Sequence, residues 1–145
     1  MKFRTEISVA PWQQRIEYNH TILCIGSCFA SNIAERLAAH KFRVWNNPTG
    51  ILFNPVSIAR SIERISSQRY VKTEELFESD GRWLSYDFHS SLSGPTADRS
   101  AQLINSKIDE CHEILKHANH LIITLGTAWA YRLCETQDVV ANCHK

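Results

Sequence analysis

The stretch Ile22-Leu23-Cys24-Ile25-Gly26-Ser27-Cys28-Phe29-Ala30 constrains the fold more than any other. An apolar run ends at a glycine, two small residues follow, and an amphipathic segment begins. That is the pattern of a buried strand turning sharply into a helix. Such an elbow sets small reactive side chains at the carboxyl end of a strand and the amino end of a helix. The free N–H groups there favour negative charge. A thiolate is stabilised in such a place, which makes Cys28 a candidate nucleophile. The residue types leave a plainer reading open: Ser27 only caps the helix, and Cys28 is buried as a small hydrophobe.

The rest of the chain repeats the alternation. Residues 1–20 read as an irregular strap, and residues 21–25 as the first strand, too apolar for an exposed edge. Phe29, Ile33, Leu37 and Ala38 recur at helical spacing up to His40. Residues 42–45 are a short strand, and residues 46–50 are turn chemistry closed by Gly50. Asn54-Pro55 opens a second helix as cap and first-turn proline, with Val56, Ala59, Ile62 and Ile65 on one face. Residues 66–95 are the least regular. Residues 73–77 read as one helical turn, Asp80-Gly81 as a turn, and residues 83–88 as a strand or extended loop. His89-Ser90-Ser91 belongs to a hydroxyl-rich loop that can wall a site.

Ala97, Ala101, Ile104, Ile108, Cys111, Leu115 and Ala118 then mark a long amphipathic helix. Residues 121–125 predict a second buried strand ended by Gly126-Thr127. Residues 130–133 and 139–142 flank a polar turn as a β-hairpin. This order predicts an α/β fold: a parallel sheet covered by helices on both faces, with a C-terminal β-hairpin. Ligands in such sheets bind at the carboxyl ends of the strands. Gly26-Ser27-Cys28, residues 47–50 and Gly126-Thr127 all fall on or near that edge. The chain ends directly after an apparent strand, so it reads as the first part of a longer domain.

Composition narrows the function classes. A net charge of +1 over 145 residues argues against a nucleic-acid binder. The first residues lack the apolar core of a signal peptide, and no stretch reaches membrane-spanning length. Five cysteines match no small disulfide scaffold, and reduced thiols in a cytoplasm are the simpler reading. Cys111, His112, His117 and His120 invite a metal reading. On a helix these ligands diverge, so neither a metal nor another cofactor is expected. Cys24, within a strand, should be inert. Trp45, Trp83 and Trp129 read as core.

Gly26-Ser27-Cys28-Phe29-Ala30 spells the motif of the GSCFA family. The segments at residues 2–6, 47–55, 123–127 and 142–145 resemble that family too, so the resemblance spans the chain. It implies that residues 1–145 are the amino-terminal portion of a single GSCFA domain. The family is similar to the SGNH, or GDSL-like, hydrolases, α/β enzymes that cleave or transfer acyl esters. Aligned on the glycine, Ser27 falls where their first block has aspartate, and Cys28 falls where it has the serine nucleophile. Gly50 corresponds to the second-block glycine, whose N–H helps hold the oxyanion. The third block, Gly-x-Asn-Asp, resembles Gly126-Thr127-Ala128-Trp129. Ala128 thus removes an oxyanion donor of a kind worth about 3 kcal/mol.

The Asp-x-x-His block that provides the general base in that superfamily is expected beyond Lys145. The fragment alone is therefore expected to be inactive. Cys28 and, second to it, Ser27 are the candidate nucleophiles. Gly26, Gly50, Gly126, Thr127, His89 and His144 are the candidate oxyanion and substrate contacts. His89 and His144 are the two histidines placed to act as a base within the chain. A solvated loop histidine and a strand-end histidine are the plain readings of these two. The implied substrate is a small-molecule or glycan acyl ester. A non-catalytic ligand-binding module on the same fold and a truncated gene product are the alternatives.

Overall fold

A computed structural model describes residues 5–141. Its centre is β1 (Thr21–Gly26), whose Ile22, Leu23, Cys24 and Ile25 are fully buried. The helix α1 (Cys28–Ala39) follows one residue later, and β2 (Arg43–Asn46) returns parallel to β1. Next comes α2 (Pro55–Ser66). Asn54 caps it by accepting the Ser57 N–H at 2.8 Å, and proline occupies the first turn.

A small antiparallel hairpin, β3 (Phe77–Ser79) with β4 (Arg82–Leu84), turns through Asp80-Gly81. The long helix α3 (Ala97–His117) is capped by Thr96. Then β5 (His120–Thr124) joins β1 on the side away from β2, again parallel. The hairpin β6 (Tyr131–Arg132) with β7 (Val139–Val140) comes last among the described residues.

The main sheet thus has the order β2-β1-β5 and is parallel throughout. Side chains alternate across it, as a period of two requires. Ile22 and Cys24 face α1 and pack with Ala30, Ala34 and Ile122. Leu23 and Ile25 face the other way, against Ile58 of α2 and Ile114 of α3. Helices therefore cover both faces, as the alternation predicts. A second core under the β3–β4 hairpin gathers Val71, Leu76 and Phe88 around Ala101, Ile104 and Ile108 of α3.

Five expectations change. The buried face of α2 runs through Ile58, Ser61 and Ile65, while Val56 and Ala59 of the expected face are exposed. The one-turn helix at residues 73–77 shortens to a 3-10 turn, Thr73–Glu75, because Phe77–Ser79 pairs as a strand. The strand expected to be buried, β5, lies at the sheet edge, where Leu121 and Ile123 are 40% and 45% exposed. Phe29 stands off the buried stripe of α1 and is 60% exposed. Trp45 and Trp83 pack against the two cores, but Trp129 is 87% exposed. The strap is exposed over residues 5–19. It is pinned at its end, where His20 Nδ1 lies 2.8 Å from His120 Nε2.

Candidate functional site

The elbow is built by Gly26. Its φ is +138°, and a Cβ there would stand 2.1 Å from the Thr124 carbonyl oxygen. Only glycine lets the backbone pass that close while turning. Its N–H donates to Asn47 Oδ1 at 2.8 Å, and its carbonyl accepts the Leu52 N–H at 2.9 Å. The Ser27 N–H then donates to the Thr124 carbonyl, 3.0 Å away, with Thr124 Oγ1 at 3.1 Å. The elbow is thus clamped between the end of β5 and the loop after β2.

Ser27 and Cys28 take opposite places. Ser27 is 5% exposed. Its Oγ accepts the Phe29 N–H at 3.3 Å and shares a hydrogen bond of 2.9 Å with Thr124 Oγ1. It is the N-cap of α1. Cys28 is the first helical residue and is exposed, against the plain reading that buries it. A first helical N–H has no intrahelical acceptor. Among the described residues no other acceptor stands against that of Cys28. A thiol and a free donor therefore share the open end of a helix.

The three loops expected at this edge do meet. Asn47 reaches the elbow through Gly26, and its Nδ2 also donates to Ser31 Oγ at 2.9 Å. Gly126 lies against Ser27: a Cβ on Gly126 would stand 3.1 Å from Ser27 Cβ. Their N–H groups, however, are already engaged. That of Gly50 donates to the Asn47 carbonyl at 2.8 Å. Those of Gly126 and Thr127 donate to the Phe53 carbonyl at 2.9 and 3.2 Å. Gly26 and Ser27 use theirs as described.

His89 packs on Gly50, where an added Cβ would lie 2.1 Å from His89 Cβ. Its Nδ1 accepts the Ser91 N–H at 3.2 Å, so in the neutral ring Nε2 carries the proton. That tautomer makes Nε2 a donor rather than a base. His144 lies outside the described residues, as does Cys143. Thr124 and Asn47 hold the elbow, yet neither stands out in the sequence as more than a strand end and a turn residue.

Asp109 and His112 spell Asp-x-x-His on α3. His112 Nδ1 donates to the Ile65 carbonyl at 2.9 Å, at the far end of α2. Ten residues along α2 from Pro55, that position lies about 15 Å from the start of the helix beside the elbow. The pair is no partner for Cys28.

The remaining thiols separate cleanly. Burial raises the Cys24 thiol, and burial, with Glu110 adding, pushes Cys111 up to about 12. Cys134 is exposed on the last hairpin. No group of three or more metal-ligating side chains occurs among the described residues. No helix there is long and apolar enough to cross a membrane.

Fold and site together define a parallel α/β protein with a small-residue elbow at the carboxyl edge of its central strand. The model of the GSCFA family matches residues 21–145, and the chain belongs to that family. No curated protein and no solved structure matches it.

Proposed function

We propose that the elbow is the acyl-accepting centre of an SGNH-like ester hydrolase or acyl transferase, with Cys28 as its nucleophile. One observation carries this reading: Cys28 is exposed at the first residue of α1, while Ser27 is buried and hydrogen-bonded beside it. Sulfur attacks the ester carbonyl, the C–S bond forms, and the C–O bond to the alcohol breaks. The thiol proton leaves with the alcohol. Water or an acceptor hydroxyl then attacks the thioester, takes the acyl group and returns a proton to sulfur. The Cys28 N–H and the helix start stabilise the oxyanion of each step. Gly26 and Thr124 position the turn, Ser27 caps it, and Asn47 ties it to β2. The substrate is a small-molecule or glycan acyl ester.

Pulsed alkylation tests the reading, because the chain carries its own control. Cys28 and Cys134 are both exposed. Iodoacetamide at neutral pH should modify Cys28 at least tenfold faster than Cys134, read by peptide mass spectrometry. A fluorophosphonate should leave Ser27 untouched. Equal alkylation of the two thiols, or phosphonylation of Ser27, overturns the assignment of Cys28.

A further inference from the structure

An apolar hollow of about 280 Å3 opens beside the elbow, lined by Pro55, Leu125, Gly126, Thr127 and Ala128. One contact ties it to the elbow. Gly126 forms part of the wall and also abuts Ser27, the residue before Cys28. The wall's polar groups are turned inward as well. The N–H groups of Gly126 and Thr127 donate to the Phe53 carbonyl, and Thr127 Oγ1 accepts the Trp129 N–H at 3.0 Å. Leu125 of the wall and Phe53, which packs against Gly126, are both exposed although the cores lie elsewhere. Clustered apolar exposure of this kind marks a binding surface.

We infer that this hollow is an acyl subsite, and that the acyl group is an aliphatic chain of several carbons rather than acetyl. The inference rests on the acyl-transfer reading of Cys28. A water molecule occupies about 30 Å3 and a methylene is of similar size, so the hollow holds a chain of about six to eight carbons once its open side is discounted. A fully buried methylene gains about fourfold in binding, and in a half-open hollow about twofold. Octanoyl transfer to Cys28 should therefore run on the order of fiftyfold faster than acetyl transfer.

The test uses p-nitrophenyl esters from acetate to dodecanoate on the 145-residue chain, with peptide mass spectrometry locating the adduct on Cys28. The p-nitrophenolate leaves without help from a general base, so acylation is expected of this chain even though turnover is not. The expected result is acylation that rises to octanoate and then levels. Ala128→Trp, which fills the hollow from an exposed position, should remove the preference, and Leu125→Asp should do the same. Acylation at one rate for all chain lengths overturns the subsite and leaves the nucleophile standing. Absence of any adduct overturns the acyl-transfer reading instead. The subsite is then decided by sodium octanoate against sodium acetate on Cys28→Ala. Octanoate shifts of the Leu125 and Ala128 methyl resonances that Ala128→Trp abolishes uphold it. No shift, or equal shifts with acetate, overturns it.

Discussion

Gly26 and Gly81 both have positive φ, at +138° and +71°, yet they carry different weights. A side chain at Gly26 meets the Thr124 backbone, whereas one at Gly81 meets nothing within 4 Å. Gly26→Ala should therefore cost about 3 kcal/mol or more, since backbone strain and the displacement of β5 add. Gly81→Ala should cost about 1 kcal/mol, from strain alone. Urea unfolding of the two variants measures the difference, and equal costs would contradict a clamped elbow. The elbow itself is legible in the sequence, because a glycine between an apolar run and an amphipathic one has few other uses. Its partners are not. Asn47 reads as a turn residue, and its φ of +40° suits one, but its side chain also holds the Gly26 N–H 21 positions back. Thr124 is the end of a strand until β5 is laid beside β1. A pairing in space leaves no trace in local spacing. For the same reason the sequence cannot show that the N–H groups of Gly50 and Gly126 are already engaged.

At the level of elements, the positions of the helices are legible because spacing and caps are local, whereas the buried face of α2 is not, since Ile58 packs inward while Val56 and Ala59 face out. Asn54-Pro55 marks the start of α2 to the residue. Strand burial is not legible either, since edge or centre depends on neighbours that periodicity does not name. The two strands of one parallel pair differ accordingly: Ile25 is 1% exposed and its partner Ile123 is 45% exposed. Ile25→Ala should cost about 3 kcal/mol, and Ile123→Ala about 1 kcal/mol. Similar costs would mean that the β5 face is covered.

A second element-level contact links α2 to the 3-10 turn. Arg64, buried on α2, holds Glu75 at 2.9 Å and Asp87 at 3.3 Å. Burial alone would raise the Glu75 carboxyl, but the Lys72 N–H and the Arg64 guanidinium outweigh it and lower it from 4.5. A carboxyl lowered on folding adds stability above its unfolded value, and that stability is lost as pH falls through the folded one. Stability should thus decline below about pH 4.5, and Glu75→Gln should flatten that decline. Denaturant midpoints at pH 3 to 6 for both proteins give the comparison, and parallel curves would remove Glu75 from the account.

Over the whole molecule, α3 joins two cores. Ile114 packs under the main sheet, while Ala101, Ile104 and Ile108 pack under the β3–β4 hairpin. A rigid helix that belongs to both should make them unfold together. Two buried thiols report on this without any added probe. Cys24 sits between the sheet and α1, and Cys111 sits on α3. Burial raises both thiols, so neither should react at pH 8 in the folded chain, while Cys28 and Cys134 do. Brief pulses of iodoacetamide across a urea series should show Cys24 and Cys111 becoming reactive at one midpoint, with the same slope. If Cys111 opened at lower urea, the hairpin core would be a separate unit and α3 would fray from it first. Cys24 opening first would instead place the weak seam between α1 and the sheet. The elbow would then loosen before the rest, and Cys28 would lose its helix end while most of the fold remained.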